Sequence, residues 1–148
     1  MEPTIFEKII ARDIPADIVY EDDLVLAFLD IAPIHHGHTL VIPKKKFINI
    51  FDGDSRTLGH MMQVAQKIAV ALKAITDADG INIVMNNEEA AGQKVFHAHL
   101  HIIPRFTDDH AFHAIEHRAY DAAIAQEIVA SLREKLPTAL QQTSIPSL

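Results

Sequence analysis

Val95-Phe96-His97-Ala98-His99-Leu100-His101-Ile102-Ile103-Pro104 is the stretch on which the reading of this chain turns. Histidines alternate with apolar residues, the period-two pattern of a half-buried strand whose successive side chains point to opposite faces. Ala98, Leu100 and Ile102 are expected to face a core. His97, His99 and His101 then share the other side, about 6.5 Å apart along the strand. Imidazoles in such a row can bind a metal, relay protons or attack an electrophile, because the neutral ring is available near pH 7.

The spacing leaves three readings. The histidines can sit on a solvated sheet face with no chemistry. They can converge on a zinc ion, with His38 as a further ligand, since imidazoles at i and i+2 on a strand can share a metal. Or one of them is a nucleophile, oriented by its neighbours. The strand carries no carboxylate and the chain no cysteine, so a metal would have only nitrogen and oxygen ligands. Spacing alone does not choose between metal and nucleophile.

Working outward, the 148 residues suit one domain with its own core. A composition of 49% hydrophobic and 22% charged residues is that of a soluble globular protein. The absence of cysteine fits a reducing compartment. The acidic opening Met1-Glu2-Pro3-Thr4-Ile5-Phe6-Glu7-Lys8 lacks the apolar centre of a signal peptide. No run reaches the roughly 18 apolar residues of a membrane span. The net charge of -7 argues against nucleic acid as a partner. A cytoplasmic protein with neither nucleic-acid nor membrane partners is expected.

Upstream, Ile5, Phe6, Ile9 and Ile10 recur at helical spacing, with Thr4 and Glu7 in capping-box positions and Asp13-Ile14-Pro15 ending the helix. Ile18–Tyr20 and Leu24–Leu29 read as a β-hairpin, Ile31–Gly37 as a loop, and Thr39–Ile42 as a third strand. From Asp54 to Thr76 the period changes to 3.6. Leu58, Met61, Met62, Ala65, Ile68, Ala69, Leu72 and Ile75 form one stripe on a long helix. Ile81–Met85 is a fourth strand, Asn86–Lys94 a polar loop, and the histidine strand the fifth. Residues 107–118 give no clear pattern. A last helix is expected over about Tyr120–Leu136, followed by a loose tail. The order implies an α+β fold, with a mainly antiparallel sheet of about five strands and helices on one face. One domain is expected over residues 1–148, its core at about 4–106 and an extension at 107–148.

The loop before the histidines adds chemistry. Gly92 lets backbone approach a ligand closely, successive N–H groups in such a turn can cradle an anion, and Lys94 adds positive charge. A plain strand-to-strand turn explains the same residues. An anion cradle beside a neutral nucleophile would suit phosphoryl or nucleotidyl transfer.

The run Gly92-Gln93-Lys94-Val95-Phe96-His97-Ala98-His99-Leu100-His101-Ile102-Ile103 resembles the signature of the histidine triad (HIT) superfamily, His-φ-His-φ-His-φ-φ with φ apolar. Ala27-Phe28-Leu29-Asp30-Ile31-Ala32-Pro33 and Gly37-His38-Thr39-Leu40-Val41-Ile42-Pro43-Lys44 resemble its other two hallmark stretches, and the whole is most similar to the Hint-like branch. The resemblance implies a cofactor-free enzyme, a nucleotide hydrolase or transferase of the phosphoramidase type. His99 would attack the α-phosphorus of a purine nucleotide conjugate and form a nucleotidyl-histidine intermediate. His97, His101 and His38 would orient and stabilise charge. Asn86, Gly92, Gln93 and the Lys94 backbone fall at the phosphate positions, Asp30 and Ile31 at the ribose, and Phe6, Ile9 and Phe28 at the base pocket. The resemblance also implies a homodimer through the long helix and a sheet edge. Dinucleoside polyphosphate hydrolysis is an alternative activity. From other classes, a zinc-dependent hydrolase or a non-catalytic nucleotide sensor remain open.

Two departures stand out. Lys94 occupies the place where the family usually has serine or threonine, which affects leaving-group preference and rate. Many bacterial relatives hold a structural zinc near the N-terminus. The matching positions here are Thr4, Glu7 and Lys46, so that zinc is expected to be absent.

Overall fold

The computed structural model describes residues 2–111 and 118–136. By its internal contacts the chain divides into two compact units, Met1–Ala111 and Phe112–Leu148. The first unit runs α1 (Ile5–Ile10), β1 (Ile18–Glu21), β2 (Val25–Leu29), β3 (Thr39–Pro43), α2 (Ser55–Thr76), β4 (Gly80–Val84), a 3-10 turn at Glu89–Ala91, and β5 (Leu100–Arg105). The strands form one sheet in the order β1-β2-β3-β5-β4. Every neighbouring pair is antiparallel. This is the α+β arrangement that the alternating and helical periods imply.

Both faces of the sheet are covered, which corrects the expectation of helices on one side. On the first face Val25, Ala27, Val41, Leu100 and Ile102 pack against Met61, Val64, Ala65, Ile68 and Leu72 of α2. Ala98 joins them, as its alternation with the histidines requires. On the other face Leu26, Phe28, Leu40 and Ile42 pack against Phe6 and Ile9 of α1. With both faces buried, β2 and β3 read as continuous apolar runs instead of alternating ones. The helix that shares a face with the histidines is thus the short α1.

Local chemistry explains the boundaries. Thr4 and Glu7 form the capping box that starts α1. Asp54 caps α2 by accepting from the Thr57 N–H, and the helix ends at Asp77 in the left-handed region, before the expected break at Asp79-Gly80. The buried stripe of α2 differs from expectation at its edges. Val64 is buried, whereas Met62 and Ile75 are exposed. Gly37 leads into β3 at φ +95°, where an added Cβ would come within 3.0 Å of Leu72. The backbone region and the close approach to α2 both require glycine there.

The described part of the second unit is α3 (Ala122–Lys135), capped by Asp121. Its Ile124, Ile128, Leu132 and the following Leu136 recur every fourth residue and all remain substantially exposed. The tail beyond Leu136, expected to be loose, lies outside the described residues. No helix among the described residues is long and apolar enough to cross a membrane.

Candidate active site

The site lies where β5, the end of β3 and the first turn of α1 meet. β5 begins at Leu100, so His101 alone of the three histidines stands in the ladder, opposite Leu40 and Val84. His97 and His99 occupy the irregular segment ahead of it, where the Ala98 N–H donates to the Phe47 carbonyl. The strand expected from Val95 onward therefore starts five residues later. Without ladder bonds, the two histidines are held by that backbone bond and by their own side chains.

His97 and His38 each have a pair of partners, His99 and His101 one each among the described bonds. His97 is fully buried. Its Nε2 lies 2.7 Å from the Pro43 carbonyl, to which it donates, leaving Nδ1 to accept from the Thr4 hydroxyl at 3.4 Å. His99 is 6% exposed, and its Nδ1–H donates to the His97 carbonyl at 2.7 Å. That bond makes Nε2 the unprotonated nitrogen. His38, also buried, accepts the Ile34 N–H at Nδ1 (3.1 Å). Its proton is therefore on Nε2, which donates to His101 Nδ1 at 2.9 Å. His101 in turn keeps its proton on Nε2. A neutral imidazole has one donor and one acceptor nitrogen, so these four assignments follow from the partners.

The arrangement bears on the choice between metal and nucleophile. Both ring nitrogens of His97 are spent on Pro43 and Thr4, so the three histidines do not converge on a common point. Asp30, His38 and His101 do bring three ligand atoms within 4.8 Å of one another. Ligation by His38 Nε2 would, however, move its proton to Nδ1 and set it against the Ile34 N–H. The hydrogen bonds tie His38 to His101 and leave His99 Nε2 without a described partner.

Burial keeps all four rings neutral. Desolvation pushes His97, His99 and His38 below the ordinary imidazole pKa. His101 is pushed down to about 4 by burial, reinforced by His99 and His38, while Asp30 pulls the other way. The rings of His99 and His101 lie 4.8 Å apart between centroids, and those of His38 and His101 5.1 Å. The Phe6 ring presents its edge or face to His99 at 5.1 Å and to His97 at 5.8 Å.

The other expected site residues fall into separate groups. Phe6, Ile9 and Phe28 are buried together in the core beside the histidines. Half-buried Asp30 accepts the Ala32 N–H with one oxygen and holds the other 3.5 Å from His38 Nε2. Ile31 beside it is almost wholly exposed, at 97%. In the Glu88–Gln93 turn, Gly92 adopts φ +89°, and a Cβ there would lie 3.7 Å from Asn86 Nδ2, so these two are neighbours. Gln93 is buried and spent on the protein. Its Oε1 accepts from the Glu88 N–H and Asn49 Nδ2, and its Nε2 donates to the Ile48 and Val95 carbonyls. What its side chain supplies is the shape of the loop. Lys94 is exposed, with no ion pair among the described residues. Sequence reasoning named Thr4 as a cap and as a position of the relatives' structural zinc site, not as a partner of His97, and it missed Pro43 and Ile34 as partners of the histidines, because backbone acceptors and donors carry no residue-type signal.

Thr4, Glu7 and Lys46 do come together: the Thr4 N–H donates to Glu7 Oε2, which also takes Lys46 Nζ at 2.9 Å. A carboxylate already paired with an ammonium, and no thiolate beside it, is a poor donor set for zinc.

The HIT domain model matches residues 11–108. The chain belongs to the HIT family. It is 49% identical over 111 residues to an uncharacterized HIT-like protein of Borreliella burgdorferi, covering 74% of this chain and 80% of that one. It superimposes on a crystal structure of a HIT family member from Bacillus subtilis with a TM-score of 0.84 at 42% identity, over 92% of this chain and 99% of that one. A histidine triad nucleotide-binding protein from Candida albicans gives 0.81 at 30% identity, over 93% and 99%.

Proposed function

We propose that the protein is a nucleotide hydrolase or transferase that cleaves purine nucleotide conjugates at the α-phosphorus, with phosphoramidates as preferred substrates. The observation that carries this reading is the 2.7 Å bond from His99 Nδ1–H to the His97 carbonyl, which leaves a neutral Nε2 lone pair as nucleophile. In the first step the Nε2–P bond forms as the P–N bond to the amine breaks, and the amine departs with a proton. Water then attacks phosphorus and releases the nucleoside monophosphate and free His99. His101 Nε2–H, backed by His38, stabilises the developing charge or passes the proton. Asn86, Gly92 and the Lys94 backbone contact phosphate, with Gln93 shaping that loop. Asp30 accepts from the ribose hydroxyls. Exposed Ile31 lies beside Asp30 at the ribose, and Phe6, Ile9 and Phe28 supply the apolar side of the base pocket. No metal takes part in this scheme.

The nucleotide-binding name of the Candida protein supports the ligand class. The positive charge of Lys94, which has no ion pair among the described residues, favours a second reading, in which the leaving group is itself a phosphate, as in a dinucleoside polyphosphate. We further propose a homodimer. β4 is an edge strand, and its Ile81 lines a shallow apolar groove together with Ala69, Val70 and Ala74 of α2. The cysteine-free composition supports a cytoplasmic setting.

A substrate panel tests the activity. Adenosine phosphoramidates should show the higher kcat/KM, and His99→Ala should lose at least about a thousandfold. Faster cleavage of dinucleoside polyphosphates would select the second reading. Binding of nucleotide without turnover would make the protein a sensor, and activity abolished by a chelator and restored by zinc would revive the metal reading.

A further inference from the structure

We infer that Thr4, Glu7 and Lys46 form a polar clamp on His97 that positions His99; the inference rests on the reading of His99 as nucleophile. His99 is oriented by a single described bond, from its Nδ1–H to the His97 carbonyl. That carbonyl lies ahead of β5, and one side of its peptide group is tied by the bond from the Ala98 N–H to the Phe47 carbonyl. The other anchor of that peptide is the His97 ring, so the aim of the carbonyl also follows what holds residue 97.

Two segments hold it, one at each end of the ring. Pro43, the last residue of β3, takes Nε2–H, and Thr4, the cap of α1, faces Nδ1. The Thr4 oxygen already accepts the Glu7 N–H, so its own proton is available to His97. In a residue with no solvent access, that hydroxyl is the one described partner for Nδ1. The two segments are then tied to each other. Lys46, three residues beyond Pro43, grips the same Glu7 oxygen that receives the Thr4 N–H. These contacts hold the Glu7 carboxyl down at about 2. With the chain from Pro43 to Lys46, the bonds close a ring: Thr4, His97, Pro43, Lys46, Glu7 and back to Thr4. A capping box needs only Thr4 and Glu7. The additional bonds to His97 and Lys46 join the helix start to the histidines.

Thr4, Glu7 and Lys46 are thus positioning residues, acting on the reaction through His97. Thr4→Val removes the hydroxyl from His97 Nδ1, and Thr4→Ser keeps it. Thr4→Val should lower kcat about tenfold with KM nearly unchanged, because a slightly misplaced nucleophile loses rate and not affinity. The nitrogen-15 imidazole spectrum should show the His99 Nδ1–H signal shifted or broadened, and Thr4→Ser should restore both readouts. Lys46→Met, which leaves the cap intact, should move the same signal by a smaller amount, and it serves if Thr4→Val fails to fold. A lower melting temperature in Thr4→Val with the His99 signal and kcat unchanged would reduce the cluster to a helix cap and overturn the inference. So would a Lys46→Met variant with an unaltered His99 signal. If wild-type protein cleaves no nucleotide conjugate, the nucleophile reading fails, while the imidazole spectrum still decides the clamp.

Discussion

Acidification to pH 4.5 should destabilise the fold well before its carboxylates are protonated, because the buried imidazoles resist charge. His101 falls from an ordinary 6.5 to about 4 in the folded chain, chiefly through burial. Between those values the unfolded chain binds more protons than the folded one, so stability rises with pH. The contribution is complete above pH 6.5 and is lost as pH falls toward 4. At 1.36 kcal/mol per pKa unit the full loss approaches about 3 kcal/mol, and allowing for water at the open side of the ring brings it to about 1–2 kcal/mol at pH 4.5. His97, His99 and His38 shift in the same direction from the same cause and add to the loss. Glu7, held at about 2, keeps its contribution until the pH drops below 4.5, outside this window. Urea denaturation at pH 7.5, 6.5, 5.5 and 4.5 gives the unfolding free energy directly. His101→Asn should flatten the slope. Unchanged stability between pH 7 and 4.5, or a slope unaffected by His101→Asn, would refute the assignment of neutral, desolvated rings.

Other perturbations separate shape, charge and assembly. Gln93→Ala strands the Glu88 N–H and the Ile48 and Val95 carbonyls inside the loop. It should cost about 2–4 kcal/mol in chemical denaturation. Lys94→Thr should lower kcat/KM for a dinucleoside polyphosphate about threefold to tenfold, while changing that for a phosphoramidate with a neutral amine leaving group less than about twofold. Steady-state assays on the two substrates check it. Val70, 69% exposed beside the β4 edge, should hold the proposed dimer, so Val70→Glu should shift sedimentation toward the monomer.

The fold was legible wherever a period repeated. The 3.6 stripe marks α2 to within a residue, and the Thr4/Glu7 pair places the start of α1. What escaped depends on tertiary partners. Nothing in Ile5–Ile10 says which face of the sheet it covers, and both faces of β2 and β3 turned out buried. Alternation correctly put Ala98, Leu100 and Ile102 on the core side. It also suggested a strand from Val95, where His97 and His99 instead precede the ladder, because their side chains bond to Pro43 and to the His97 carbonyl. The types of the site residues were visible in the triad and in His38. Their tautomers were not, since the Ile34 N–H and two carbonyls decide them. Gln93 was legible as a loop residue beside Gly92, but two of the four bonds that occupy its amide, to Ile48 and Asn49, join segments more than forty residues apart.

The central claim is that His99 carries the nucleotidyl group. Rapid quenching of wild-type protein with an α-labelled adenosine phosphoramidate, followed by mass analysis of the digested chain, tests it most directly. The account predicts an acid-labile nucleotidyl adduct on His99 that water removes, and no adduct in His99→Ala. Full turnover with no trapped label, or label on His97 or His101 in its place, would contradict it.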